Sequence, residues 1–590
     1  MIRYILSALL FTAPLLAADD VVARAMHDEL ERSMQKLQLE NLQKPYFIAY
    51  RIVESEICAI SASFGALVIN HCTPSTEDRH GRQLGVEVRV GDYARDNTNF
   101  YAFRMQASGV VRMISGAQIP MDDNYDESRR ELGLATDSAY KEALDVYAKK
   151  KAALENRTRT GDAPDFSKET AVKDTQDAPR LKWNPEQIGN DVKALSAMFR
   201  SMPTIADSEV KFDGSNSLVR YENSEGTTFT RRESLATYQA SANTQALDGM
   251  PLSDFEVVHS RTTTGIPTRE EMAIRVKSLA ARLERLRTAP TVDRYTGPVL
   301  FEGQAAGELV AQALGNGIYG LPRLVVDDAR FESVFASDRG SFADKVGGKV
   351  LPEAFSLIDD ATLRTFAGKP LLGGYNVDED GVKSRANVLV EKGIMKQLLR
   401  SRALIPNTTA STASRRSGTG ASPSNLILRT DKPVSAEQIK AELINLVKAR
   451  GKEYGIIVRR VANASLASAL NRGRMMIMTS SGADAVDIEP IIEAYKIFPD
   501  GREELVRNLK VTGLTLASFK DITAATDANV VYSAPFRAKR MAPFRGMPFV
   551  MGQLLVSVVT PSLLFDDMTL QKPTGEVPNL PFTKHPYFDK

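Results

Sequence analysis

Side chains that commonly carry proton transfer, nucleophilic attack or metal binding are scarce in this chain, which has 590 residues but 5 histidines and 2 cysteines. His27, His71, His80 and His259 fall in the N-terminal half, and His585 lies close to the C-terminus. No serine-histidine-acid grouping has a local motif behind it, and His80, set between Arg79 and Gly81, reads as a solvated turn. Asn376, Asp378, Asp380 and Gly381 imitate the opening of a calcium loop. Asn387 stands at the twelfth position, where a bidentate glutamate is needed, and the flanks are strand-like, so the spacing predicts a hairpin turn. Residues 411–424, STASRRSGTGASPS, offer either a phosphate cradle or a flexible loop. No helix with an apolar face follows to lend its N-terminus, so a mobile loop is expected.

The segment with the clearest local design is residues 297–321, GPVLFEGQAAGELVAQALGNGIYGL. It reads as a strand, a small-residue turn at Ala305, Ala306 and Gly307, and a helix over residues 305–314 that ends in a Gly-Asn-Gly stop. Here the chain resembles the TldD/PmbA metallopeptidase family, in which a strand and an Ala-Ala-Gly turn lead into a helix carrying H-E-x-x-x-H-G. The likeness continues in order. VGGKVLPEAFSLIDD at residues 346–360 is similar to the family's "VG..VAS....VDD" stretch, and DEDGVKSRANVLVEKGIMK at residues 378–396 to its "D.EG....NVLIE.GVLKG" hairpin. Arg415 and Arg416 fall where the family often shows a double arginine, and residues 501–522 resemble its late strands. The resemblance covers residues 215–570 and is weaker before 290; several loose motifs in a fixed order make it specific.

What the resemblance implies turns on three positions. In members with the motif, the two histidines would bind zinc, the glutamate would activate the metal-bound water, and a later cysteine would complete the site. The matching positions here are Ala311, Gln312 and Asn316. Alanine has no donor atom, glutamine accepts no proton at neutral pH, and an asparagine amide is a poor zinc ligand. Beyond residue 260 the only histidine is His585, and there is no cysteine. The expected protein therefore has no catalytic residue, metal or cofactor of its own. The resemblance implies a non-catalytic subunit of an exported metallopeptidase complex, paired as a heterodimer with a motif-intact TldD-like relative that alone carries zinc. It also puts Arg415 and Arg416 near a substrate groove, where either could hold a peptide carboxylate. Two other readings stand beside it: a self-sufficient peptidase whose site has moved to unrecognised residues, and a peptide-binding protein that does not cleave.

The elements that must position these residues follow from periodicity. Residues 1–18 carry a charged start, a short apolar run and a small-residue exit, and read as a secretory signal peptide cleaved near Ala18. The run is too short to span a membrane, and export followed by release to the periplasm or the outside is expected. Residues 19–289 read as an N-terminal α+β domain. It has a helix over residues 21–43, strands within residues 46–103, and a charged helical insertion at 122–190 with its helix at 137–156 and a solvated tail. Strand alternation returns at residues 218–238, and a helix at residues 268–287 opens with a capping box, Thr268 and Glu271. Residues 290–570 read as a mostly β domain of TldD/PmbA type, with a tail at 571–590. Its strands are expected at 297–301, 386–390, 456–461, 475–478, 514–519 and 554–559, and a second helix at 435–450. The apolar stretch at residues 549–565 reads as two strands, because Gly552, Gln553 and Pro561 interrupt it.

Cys58 and Cys72 lie equally far on either side of Gly65, next to a Ser63-Phe64-Gly65 turn signal. A hairpin turning there would bring them face to face at a separation a disulfide can bridge, and export makes the bond expected. A slip of one residue would leave two separately buried thiols. Charge excludes one class of partner: 75 Lys and Arg balance 73 Asp and Glu, and no basic stripe interleaves with aromatics, so nucleic-acid binding has no electrostatic support.

Overall fold

The computed structural model describes residues 20–72, 80–101, 115–155, 157, 163–328, 342–416, 420–466, 486, 488–536 and 554–573. The segment at 1–18, the strand expected at 475–478, His585 and most of the tail at 571–590 lie outside the described residues. No helix among the described residues is long and apolar enough to cross a membrane.

The chain is α+β and, among the described residues, builds two large sheets, one on either side of the boundary expected at 289 and 290, beside three two-stranded ribbons. The N-terminal sheet has 8 strands: β1 (Pro45–Ser63), β2 (Ala66–Asn70), β3 (His80–Val90), β4 (Ser115–Gln118), β5 (Lys173–Gln176), β6 (Ile205–Asn223), β7 (Thr228–Gln245) and β8 (Pro251–Ser260). Its order is β4-β3-β1-β6-β7-β5, with β2 on β1 and β8 on β7. Helix α1 (Val21–Lys36) opens on the Asp20 cap, whose side chain accepts from the Ala23 N–H, and buries Val22, Met26 and Leu30 on the sheet.

Helix α2 (Tyr125–Glu155) is longer than the spacing predicts. It starts well before residue 137 because the Asn124 side chain accepts from the Glu127 N–H, 3.0 Å away. Leu132, Ala135, Tyr140 and Ala143 then join α1 and Tyr50, Ile52 and Leu84 in one core. The segment after α2 departs from the solvated tail expected there. Asp165, Phe166 and Ser167 are buried, and β5 adds to the sheet beside β7. The reason is a few anchors that average composition hides. Lys150, fully buried, donates to Asp165 (2.5 Å) and to the carbonyls of Asp96 (2.9 Å) and Thr98 (2.6 Å). Arg89 and Arg402 both lie over the Phe166 ring, 3.5 and 3.8 Å from its centre.

Helix α3 (Pro185–Ala197) and helix α4 (Arg269–Thr288) cover the other end of the same sheet, and α4 has the expected capping box at Thr268 and Glu271. Beyond it the second sheet has 11 strands. They are β9 (Arg294–Phe301), β10 (Phe355–Asp360), β11 (Ala386–Glu391), β12 (Ile394–Met395), β13 (Asn425–Thr430), β14 (Gly455–Val461), β15 (Ile491–Ile497), β16 (Glu503–Val506), β17 (Lys510–Thr512), β18 (Ile522–Pro535) and β19 (Leu555–Gln571). The order β12-β11-β10-β13-β19-β9-β14-β15-β16, with β17 and β18 on β19, makes β19 the spine. Two expectations fail here. The break expected at Pro561 is absent, since one strand runs through it where β18 shifts register between Ala525 and Asn529 and leaves room for a residue without an N–H; Gly552 and Gln553, the other expected interruption, lie outside the described residues. In place of a strand at 514–519 there is a 3-10 helix, Leu516–Asp521, in which Thr515 and Ser518 cap each other and Leu516 and Phe519 turn inward.

The two cysteines form the disulfide, with Cα atoms 4.2 Å apart. Phe64 and Gly65, both at positive φ (44° and 82°), make the turn. This turn pairs Ser63 with Ala66 and Ala62 with Leu67, a register that carried on would set Cys58 opposite His71. A bulge at Val68 shifts it, so that Ser61 meets Ile69, Ile60 meets Asn70, and the cysteines face each other. Ser196 accepts the Gly65 N–H (2.9 Å) and Arg200 donates to the Phe64 carbonyl (2.7 Å), so α3 and the turn after it hold the hairpin tip. Replacing both cysteines with serine opens a cross-link spanning 14 residues and is expected to lower the unfolding free energy by about 3 kcal/mol in chemical denaturation. Thiol titration of the unfolded oxidised chain is expected to find no free sulfhydryl.

Candidate functional site

The helix expected at residues 305–314 starts at Gly303 as α5 (Gly303–Leu309) and continues through a π-helical turn, Val310–Leu314, in which the Gly315 N–H reaches back to the Val310 carbonyl at 2.9 Å. Ala305, Ala306 and Gly307 belong to the helix and form no turn before it. Their small size has a local cause: a Cβ on Gly307 would meet the Tyr532 ring of β18 at 2.7 Å.

Against that close packing, one polar stripe runs down the helix at four-residue spacing: Gln304, Glu308, Gln312 and Asn316. Gln304 brackets Val461, donating to its carbonyl (3.0 Å) and accepting its N–H (2.9 Å). Glu308 is fully buried and accepts from the Tyr532 hydroxyl (2.5 Å), Gln312 Nε2 (2.8 Å) and Asn463 Nδ2 (2.9 Å). Gln312 also donates to the Ala462 carbonyl (2.8 Å) and accepts the Glu489 N–H (2.7 Å), while Asn316 Nδ2 caps the Gln312 carbonyl at 3.1 Å. Ala311 presents only a buried methyl group. Burial pushes the Glu308 carboxyl up to about 7 against the pull of these hydrogen bonds, and the nearby Glu489 adds to the rise. Glu308 was not singled out from the sequence. The available signal was an acid exactly one helical turn before Gln312 in an otherwise apolar run.

These side chains do not fit a zinc ion. Ala311 has no lone pair, both ends of the Gln312 amide are occupied, and the Asn316 amide nitrogen is donated within the helix.

The other sequence-derived candidates gather at a second place, where the N-terminal sheet meets β10 and β11. Asp378 closes the expected turn by accepting the N–H groups of Asp380 and Val382 (2.9 Å each) and of Arg415 (3.0 Å). Asp380 accepts the Arg402 N–H at 2.9 Å and pairs with the Arg415 guanidinium, which also faces Glu87. With their oxygens committed to N–H donors, these aspartates make a hairpin turn and not a cation loop. Arg416 is buried, donates to the carbonyls of Pro423 and Leu555 and lies over the Tyr375 ring. The surrounding stretch differs from the mobile loop expected at residues 411–424. Ser411, Thr412, Ser414, Ser422 and Ser424 are buried, and the hydroxyls of Ser411, Thr412, Ser414 and Ser424 find internal acceptors, such as Arg400 O for Thr412 (2.9 Å) and Asp359 for Ser424 (2.9 Å). Residues 417–419 lie outside the described residues. Of the histidines, His27 meets Glu222 at 2.7 Å and His259 meets Thr237 at 2.9 Å; burial pushes His259 down to about 4.

Comparison with known proteins bears on the second half of the chain. Residues 294–572 match the family model of the PmbA/TldA metallopeptidase C-terminal domain. Residues 294–572 thus form a C-terminal domain of the TldD/PmbA family. It is 28% identical over 131 residues to a metalloprotease of Methanocaldococcus jannaschii, which is 22% of this chain and 25% of that protein. It is 31% identical over 125 residues to a metalloprotease TldD homolog of Buchnera aphidicola, 20% of this chain and 22% of that protein. The matched stretches thus span a quarter or less of these relatives. Among solved structures, TldE from Thermococcus kodakarensis superposes with a TM-score of 0.55 at 14% identity, covering 92% of this chain and 99% of that one. The TldD/PmbA assignment therefore rests on the C-terminal domain, while the α+β fold is shared over nearly the whole length.

The Glu308 cluster has a pH signature. A carboxyl whose pKa is raised in the folded protein stabilises the fold most below its unfolded value, and that contribution is lost as pH rises through the folded one. For Glu308 the window runs from 4.5 to about 7. Glu308→Gln is expected to reduce the fall in unfolding free energy between about pH 5 and about pH 8 by something on the order of 3 kcal/mol, read by denaturant melts at the two pH values.

Proposed function

We propose that this chain is the non-catalytic subunit of an exported TldD/PmbA-type peptidase complex, acting on peptides with a motif-intact TldD-like relative that carries the zinc. The observation that supports this best is Gln312. It stands where the resemblance puts the water-activating glutamate, and its amide is clamped between Glu308, Ala462 and Glu489. A glutamate there would set a second carboxylate against buried Glu308, so this helix is built around the amide. Meanwhile the strand, the small residues packed on Tyr532, Asp359 at the end of β10 and the Asp378 turn all stand around it. Pairing with a relative of the same framework accounts for their presence, since a quasi-symmetric partner needs matching surfaces. The segment at 1–18 supports export. Either arginine could meet a peptide carboxylate, Arg415 from a side chain still 25% exposed and Arg416 from within the seam between the two sheets.

One observation favours the self-sufficient peptidase as the second reading. Burial pushes the Glu308 carboxyl, on the same helix as Gln312, up to about 7, the range in which a general base works.

Two measurements test the proposal. Elemental analysis after dialysis is expected to find no stoichiometric zinc; about one zinc per chain, lost in Asn316→Ala, would overturn the reading. Co-purification from the native host is expected to recover a motif-intact relative in a stable complex, burying well above about 1,600 Å². If the chain elutes alone and changes neither the elution nor the peptidase rate of such a relative, it is not a subunit. Peptide binding without cleavage would then identify a binding protein, and unaided cleavage abolished by Glu308→Gln the second reading.

A further inference from the structure

Between the two sheets, four arginines converge on two glutamates. Arg51 on β1, Arg231 on β7 and Arg261 just past β8 come from the N-terminal sheet, and Arg416 comes from the C-terminal domain. Arg231 donates to the Val377 carbonyl at 2.8 Å and Arg261 twice to the Leu372 carbonyl, at 2.8 and 3.2 Å, so each reaches across the seam. Neutral carbonyls satisfy N–H groups but do not cancel charge. That falls to Glu379, 3.5 Å from Arg51, and Glu233, 2.8 Å from Arg231.

The groups influence one another as a single cluster. Burial would raise the Glu233 carboxyl, yet Arg231, Arg261, Arg51 and Arg416 together hold it below the usual range. Burial lowers the Arg261 guanidinium, and Arg416 and Arg231 lower it further despite Glu233. Asp359 also faces Arg416, but burial pushes its carboxyl up to about 7, so it compensates only in part. Cations are thus in excess within a buried region, an arrangement that is costly unless an anion completes it.

The donors point the same way. Arg51 and Arg231 are 9% and 6% exposed, and the Nε of each is buried without a hydrogen-bond acceptor; the approach of Glu233 to Arg231 Nε is not aligned for one. The Glu233 side chain is 30% exposed, which opens the cluster to solvent on one side. Planar guanidinium groups with spare N–H donors match the oxygens of carboxylates and phosphates.

We propose that Arg51, Arg231, Arg261 and Arg416 form a binding site for a compact oxyanion, a carboxylate or a phosphate group of a ligand held between the two domains. The site does not rest on the subunit reading, because it belongs to this chain alone and is measured without a partner.

The test is isothermal titration of the purified full chain with inorganic phosphate, with a short peptide bearing a free C-terminal carboxylate, and with the same peptide amidated. Phosphate or the free-carboxylate peptide is expected to bind, and which of them binds identifies the source of the oxyanion. The amidated peptide is expected to bind at least about tenfold more weakly than the free one. Arg261→Gln should weaken binding by about tenfold or more, whereas Glu233→Gln, which removes the competing carboxylate, should tighten it severalfold. The opposite signs separate a ligand site from a structural one, and Glu233→Gln alone decides the matter if Arg261→Gln fails to fold. Absence of binding by both anions at millimolar concentration, or binding that Glu233→Gln leaves unchanged or weakens, would overturn the proposal.

Discussion

Arg402 is charged and 1% exposed, and both domains are fastened to it. Its guanidinium grips Glu225 in the β6–β7 turn through two nitrogens (2.7 and 2.8 Å), gives Nε to the Ser167 carbonyl (2.9 Å) and lies over Phe166. Its own N–H goes to Asp380. One side chain therefore joins the N-terminal sheet, the segment after α2 and the aspartate turn of the C-terminal domain. Taking a cation out of water demands that almost every donor be matched, and such matching is directional. The two domains are accordingly held at one relative placement by hydrogen-bond geometry more than by apolar area. Arg231, Arg261 and Arg507 repeat the device at other points of the seam, each donating to a backbone carbonyl of the opposite half.

The C-terminal domain supplies the surroundings of α5 from its own strands and loops. The helix is packed so closely on β18 that Gly307 has no room for a Cβ, and its polar stripe is matched partner for partner by residues 461–463 and 489. Such a helix is rigid by construction. Whatever it does, it does with side chains already locked in place, and conversion to a metal site would require more than exchanging three residues, because Glu308, Asn463 and Tyr532 form one network with Gln312.

Elements with a strong local signature were legible in the sequence. The Thr268 and Glu271 capping box appears as read, and so do the cysteine pair and the turn at Asp378. What was not legible depends on distant partners. Glu308 is one acid in an apolar run, and only Tyr532 and Asn463, more than 150 positions away, give it meaning. The serines around Arg415 have the composition of a solvated loop, and tertiary partners for their hydroxyls reverse that reading. Leu514 and Leu516 alternate as strand residues do, but a reciprocal cap at Thr515 decides for a 3-10 turn, whose three-residue period brings Phe519 to the same side as Leu516. Pro561 suggested a break because the compensating bulge lies on another strand.

The bulge at Val68 works like a vernier on the hairpin. Ala66 to Asn70 are exposed throughout, so their identities are only weakly constrained by packing. Their number is tied to the bulge: losing the extra residue would restore the register in which the turn starts and still set the second cysteine opposite Cys58, whereas one residue more would carry it to the opposite face of the strand. This stretch can therefore vary in composition and could even lose its bulge, but an added residue would have to be matched by a second irregularity before the disulfide could close.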